Sequence, residues 1–232
     1  ETGTGGTSRC SLLCIMQSIE ANPKHAPVRA WFDRQGWVPQ TFQMEVWDAF
    51  AQGQDGLLQA PTGSGKTYAA MGHVLSTAAA SGSGTLGVKL IWVAPLRALS
   101  ADIADAARAM IDGLGLDWEV GTRTGDTSAK EKAKQRSALP DILITTPESL
   151  HILIAQKGGV ERLSSAQAVV VDEWHELLGS KRGVQVELAV SWIAQRSAQK
   201  GLDMLVWGIS ATLAEPELAL EALVGSSEGA LI

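Results

Sequence analysis

Ala60-Pro61-Thr62-Gly63-Ser64-Gly65-Lys66-Thr67 lies between a short apolar run, Gly56–Ala60, and a stretch with helical periodicity, Lys66–Ala80. A strand that feeds a glycine-rich turn and then a helix is the setting of a phosphate-binding loop. Gly63 and Gly65 can take backbone conformations closed to other residues, turning successive amide N–H groups inward beside the positive end of the helix. Thr62, Gly63, Ser64 and Gly65 would then cradle a polyphosphate largely by main chain. Lys66 would reach its terminal phosphates, and the Thr67 hydroxyl would take a place on Mg²⁺. A bare strand-to-helix turn explains the glycines but not adjacent Lys and Thr at the helix start.

Outward from this loop, apolar runs and helical stretches alternate. Strand candidates are Gly56–Ala60, Lys89–Ala94, Trp118–Thr122, Asp141–Thr145, Ala168–Asp172 and Met204–Ser210. Helix candidates are Lys66–Ala80, Leu99–Leu114, Ser128–Ser137, Glu148–Ala155, Val184–Ala198 and Glu215–Val224. That alternation predicts an α/β fold, a doubly wound and mainly parallel sheet with helices on both faces. Ala26 to Phe50 is Trp-rich and interrupted by Pro27 and Pro39, and is expected to be a short helical preamble on the sheet edge. Ala79 to Gly87 reads as a loop, and Lys130 to Arg136 as a solvated helix face. Residues 1–25 are set apart as a flexible or appended lead-in, leaving 26–232 as one domain.

A second chemical site follows the run Val169-Val170-Val171. Asp172-Glu173-Trp174-His175 places two carboxylates at the carboxyl end of a buried strand, where ligands of open α/β sheets bind. Alone, such a pair is often a polar edge or a helix cap. Opposite Lys66 it reads as Asp172 holding Mg²⁺, and Glu173 orienting and deprotonating a water. His175 is either an ordinary interfacial histidine or a relay toward the next motif. That motif is Ser210-Ala211-Thr212 at the following strand end, read as the element that couples nucleotide state to movement.

Composition narrows the alternatives. The formal net charge of −6 excludes a uniformly basic nucleic-acid surface, so any such site must be local. Cys10 and Cys14 are too few for a disulfide framework and lack further zinc ligands nearby, which points to a reducing compartment. No apolar run approaches the roughly 20 residues of a membrane span, so no membrane partner is expected.

The order of these motifs over residues 37–224 resembles superfamily 2 DExH-box helicases. Ala60 replaces the first glycine of the general loop pattern, a substitution common in those helicases. The segment Asp172-Glu173-Trp174-His175-Glu176-Leu177-Leu178-Gly179-Ser180-Lys181-Arg182-Gly183, with Gly36-Trp37 through Phe42-Gln43, resembles the Lhr-like helicases, in particular a bacterial branch encoded near an ATP-dependent DNA ligase. The resemblance implies a first RecA-like motor domain that takes ATP and Mg²⁺. It also implies 3′-to-5′ movement on single-stranded or partly duplex DNA during repair in the bacterial cytoplasm, with the ligase and a nuclease of the same pathway as partners. It further implies a second RecA-like domain, absent from these 232 residues, without which the chain would be nearly inactive. Gln43 corresponds to the family's adenine-reading glutamine; otherwise it is a surface residue of an amphipathic helix. Pro95 and Arg97, Thr124 and Gly125, and Thr146 and Pro147 match places that touch the nucleic-acid backbone, although Pro147 and Glu148 also make an ordinary helix start. Lys181 and Arg182 are DNA contacts, a salt-bridged loop or solvated charges. An RNA helicase motor and a nucleotide-dependent binding module without hydrolysis are the competing readings; a P-loop kinase or transporter is weaker.

Overall fold

The computed structural model describes residues 22–82 and 87–232. The expectations for Cys10, Cys14 and the lead-in through residue 21 lie outside the described residues. A 3₁₀ turn, Pro23–His25, opens onto α1 (Ala26–Arg34) and α2 (Thr41–Ala51). There follow β1 (Gly56–Gln59), α3 (Lys66–Ser81), β2 (Leu90–Val93), α4 (Leu99–Leu114), β3 (Val120–Arg123), α5 (Ala129–Ser137) and β4 (Ile142–Thr145). The chain continues through α6 (Pro147–Ile154), α7 (Gly159–Leu163), β5 (Ala168–Val171), α8 (Trp174–Leu177), α9 (Lys181–Gln199), β6 (Leu205–Ser210), α10 (Pro216–Val224) and β7 (Ala230–Leu231).

The strands form one sheet in the order β3-β4-β2-β5-β6-β1-β7, with every pairing parallel. Because alternate side chains of a strand face opposite ways, β5 divides its valines between two cores. Val170 joins Trp92, Ile144, Leu58 and Trp207 beneath α3 and α4. Val169 and Val171 join Ile91, Val93, Leu143 and Trp174 beneath α6, α9 and α10. Burial on both faces is why the central strands read as unbroken apolar runs. Sheet order also does functional work, since β6 lies between β1 and β5 and its end must separate the phosphate loop from the Asp172 segment.

The preamble departs from expectation. The helices α1 and α2 pack on α3, and α1 also on α4, so they thicken one helical layer and do not cover a sheet edge. Aromatic area drives this: Trp31, Phe32 and Trp47 are almost fully buried, and Phe50 stacks on Trp207 at 4.8 Å. Gly72 permits the contact, because a Cβ there would stand 2.2 Å from the Trp47 indole nitrogen. The structure adds the short α7, α8 and β7, whose few residues carry too little periodicity to be read from sequence.

Candidate nucleotide and nucleic-acid site

The loop between β1 and α3 turns at two left-handed glycines, Gly63 (φ +78°) and Gly65 (φ +90°), where a Cβ would be strained. The Lys66 side chain is buried and folds back, its Nζ donating to the Ala60 carbonyl at 2.6 Å. Ser64 Oγ is buried without a hydrogen-bond partner. Gln43 sits under the loop, not on an open helix surface. Its Nε2 donates to the Gly65 carbonyl at 3.0 Å, and its Oε1 accepts from the Gln40 backbone at 2.9 Å. The bond to Gln40 is the Gln43 side of a capping box at the start of α2, and the bond to Gly65 ties that helix to the loop.

Across the cleft, Asp172 closes β5. Its Oδ1 accepts the Glu173 N–H at 3.0 Å and its Oδ2 accepts the Trp92 indole N–H at 3.3 Å. Burial, then the neighbouring Glu173 charge, push the Asp172 carboxyl up to about 6, against the pull of the Trp92 and backbone donors and of Lys66. Glu173 is the one non-glycine residue with positive φ among the described residues, at φ 46° and ψ 46°. Its Oε2 is buried and unpaired, 3.4 Å from His175 Nδ1. That same nitrogen lies 2.9 Å from Ser210 Oγ, and Ser210 Oγ donates to the Thr212 carbonyl at 3.0 Å. A hydroxyl has one hydrogen, so with that hydrogen on the Thr212 carbonyl Ser210 accepts from His175, which calls for a proton on Nδ1. The Glu173 carboxylate thus stands beside the His175–Ser210 bond without a hydrogen bond of its own to the ring.

A cleft of about 300 Å³ is lined by Thr62, Gly63, Gly65, Lys66, Thr67, Asp172 and Glu173 together with Tyr68 and the α4 residues Leu99, Asp102 and Ile103. Sequence reading missed α4 as a wall and Trp92 as the partner of Asp172. The signal for Trp92 was faint but present: a buried indole N–H in an otherwise aliphatic strand needs an acceptor.

The second group of residues gathers on the same rim. Pro95, Leu96, Arg97, Thr146, Glu148 and Arg182 surround an open hollow of about 550 Å³. Arg97 pairs with Asp126 at 2.9 Å and closes over Gly125, so the Thr124–Asp126 turn is joined to the segment after β2. Thr146 turns inward and caps α6, its Oγ1 bonded to the Ser149 hydroxyl and N–H. Pro147 is buried behind it. Arg182 bonds Glu148 and the Pro95 carbonyl, which makes it the salt-bridged alternative.

Residues 40–219 match the DEAD/DEAH box helicase family. The chain is 31% identical over 218 residues to the Lhr helicase/probable uracil glycosylase of Mycolicibacterium smegmatis, covering 89% of this chain and 14% of that protein. It is 37% identical over 190 residues to the ATP-dependent helicase Lhr-Core of Methanothermobacter thermautotrophicus, covering 77% of this chain and 22% of that one. The solved structure of Mycobacterium smegmatis helicase Lhr bound to ssDNA and AMP-PNP matches with a TM-score of 0.75 at 31% identity, over 89% of this chain and 27% of its own. These matches and the RecA-like sheet place the chain in the DEAD/DEAH box helicase family, with Lhr-type helicases as its relatives.

Proposed function

We propose that this chain is the ATP-binding motor domain of an ATP-dependent DNA helicase or translocase. One observation carries the reading: the phosphate loop and the Asp172–His175 segment face each other across the end of β6, with Ser210 bonded to His175 between them. The residues fit a Mg²⁺-nucleotide. The unpaired Ser64 Oγ and Glu173 Oε2 are buried polar atoms awaiting a partner, and Lys66 has only a carbonyl to hold.

Lys66 exchanges the Ala60 carbonyl for a terminal phosphate oxygen, and the loop amides around Gly63 and Gly65 bind the remaining oxygens. Thr67 and Asp172 are the groups to hold Mg²⁺, whose charge would neutralise that developing on the β- and γ-oxygens. Trp92 fixes the Asp172 carboxylate. Glu173 Oε2 accepts the proton of the attacking water, and any shift of its carboxylate changes what His175 Nδ1–H can donate to Ser210. The His175–Ser210 bond beside that carboxylate is the coupling element. Gln43 is assigned to adenine through its remaining Nε2 hydrogen, while its other bonds brace the loop.

DNA is favoured over RNA because the relative solved with a polynucleotide at 31% identity carries ssDNA. Pro95, Arg97, Thr124 and Gly125 border its path, and Thr146 and Pro147, turned inward at the start of α6, shape that border from behind. A second motor domain in the parent polypeptide, a place in DNA repair beside a ligase and nuclease, and a cytoplasmic location belong to the same proposal. The test is calorimetry with ADP and Mg²⁺-AMP-PNP: Lys66→Ala should weaken both markedly, whereas Glu173→Gln should bind nearly as the native chain does. Equal ADP affinity in native and Lys66→Ala chains overturns the site. Fluorescence anisotropy with labelled DNA and RNA oligonucleotides of one sequence decides the polymer.

A further inference from the structure

The hollow on the rim holds two arginines, and both are already engaged. Arg97 pairs with Asp126, and Arg182 sends Nε to Glu148 Oε1 at 2.6 Å and Nη2 to the buried Pro95 carbonyl, also at 2.6 Å. Arg182 thus joins three segments that leave the sheet at neighbouring strands. Pro95 follows β2, Glu148 stands in the first turn of α6 after β4, and Arg182 itself opens α9 after β5.

The base from which Arg182 reaches out is rigid. Ser180 caps α9 by accepting the Gly183 N–H at 3.1 Å, and its own hydroxyl donates to the Leu177 carbonyl at the end of α8 at 2.6 Å. Gly183 packs so closely on that turn that a Cβ would stand 2.2 Å from the Leu177 carbonyl oxygen. Asp172 is joined to Arg182 by a short path: α8 starts at Trp174, whose indole is bonded to the Ala219 carbonyl at 2.8 Å, and the three residues from Leu178 to Ser180, turning at left-handed Gly179, lead into α9. The contacts thus run without interruption from the Asp172–His175 segment to Arg182, and from there to two loops of the hollow.

We infer that Arg182 is a positioning residue: it holds the loops after β2 and β4 in the arrangement that receives a polynucleotide, and carries changes in the Asp172–His175 segment to them. The chemistry of its bonds favours this over direct phosphate binding. With Nε and Nη2 held by a carboxylate and a main-chain carbonyl, only Nη1 is uncommitted, so a bidentate grip on a phosphate through the Nε–Nη2 edge would break bonds the side chain already makes. The inference rests on the proposed function, because it takes the hollow as part of the DNA path.

The experiment measures binding of a short fluorescein-labelled oligothymidylate to the 232-residue chain by anisotropy, with and without Mg²⁺-AMP-PNP, across a salt series. Arg182→Ala should weaken the oligonucleotide about five-fold, a loss on the scale of a partly exposed ion pair. It should abolish most of the effect of AMP-PNP on that affinity, with AMP-PNP affinity in the absence of oligonucleotide unchanged and a single cooperative thermal transition retained. A purely structural role would not erase nucleotide dependence in a folded chain. Arg182→Lys should recover part of both effects, since an ammonium can serve one of the two partners at a time. Glu148→Gln, which keeps Arg182 but removes the charge it grips, should reproduce the loss in part and stands in should Arg182→Ala fail to fold. A salt slope lower by about 0.7 in Arg182→Ala marks loss of one phosphate contact to a single strand and overturns the inference, as does unchanged nucleotide dependence. A native chain that binds no oligothymidylate refutes instead the DNA path proposed above, and the positioning role with it.

Discussion

Glu173 in a left-handed conformation makes an unusual stability order testable. For a residue bearing a Cβ, φ 46° and ψ 46° cost roughly 1–2 kcal/mol relative to ordinary backbone, and glycine escapes that cost. Glycine loses about 0.5–1 kcal/mol in extra unfolded-chain entropy, so Glu173→Gly should exceed Glu173→Ala by about 1 kcal/mol. Both should exceed the native chain, because each removes a carboxylate whose Oε2 is buried without a hydrogen bond and whose charge opposes that of Asp172. At this chain length 1 kcal/mol corresponds to about 2–4 °C in the unfolding midpoint. The assay is thermal unfolding near neutral pH without nucleotide. Glu215 provides the control, since it also precedes a helix but has φ −134°, so the glycine-over-alanine advantage there should be smaller. Equal advantages at 173 and 215, or alanine ahead of glycine at 173, refute the idea that the proposed catalytic base is held under backbone strain.

Other consequences are as direct. The His73 ring, stacked near Phe50 at 5.8 Å and 3.1 Å from His25 Nε2, is held down to about 4 by burial first, then by His25 and Lys24. His25 is lowered as well by burial, with Asp48 opposing and Arg29 assisting. A histidine with a depressed folded-state pKa stabilises the fold above its unfolded value of 6.5 and loses that contribution as pH falls toward 4. The contribution of His73 is at most roughly 3 kcal/mol. The unfolding midpoint should fall between pH 6.5 and 4, and His73→Asn should flatten that fall; an unchanged pH profile would show the pair to be solvated. Gly72→Ala, which drives a methyl into the Trp47 indole, should cost about 1–3 kcal/mol as an overpacked contact, read as a lowered midpoint in thermal unfolding. An unaltered midpoint would mean that α2 does not pack on α3 as described. Gly183→Ala should disturb oligonucleotide affinity in the same direction as Arg182→Ala, because it forces α9 away from the Leu177 carbonyl; native affinity in this variant would leave the junction without a role.

The phosphate loop was legible because its chemistry is local. Glycines 63 and 65 mark the positive-φ positions, and Lys66 and Thr67 follow at the helix start, so a few adjacent residues specify strand, turn, helix and ligand class. The same holds for Asp172-Glu173-Trp174-His175 after three buried valines. Alternation of apolar runs and helical periods likewise determined the parallel sheet with helices on both faces. Tertiary structure alone decided which of these segments meet. Strand order put the end of β6, and with it Ser210, between the two nucleotide-facing segments. It brought Trp92 onto Asp172 across 80 residues and Arg182 onto Pro95 across 87, and it moved the Trp-rich preamble from the expected sheet edge onto α3 and α4. Such partnerships depend on which elements pack side by side, and a side chain's donors and acceptors do not encode the address of their partner. The residues needed for nucleotide chemistry are therefore written in short runs of sequence, whereas the bonds that position them and link them to the polynucleotide rim exist only once the chain has folded.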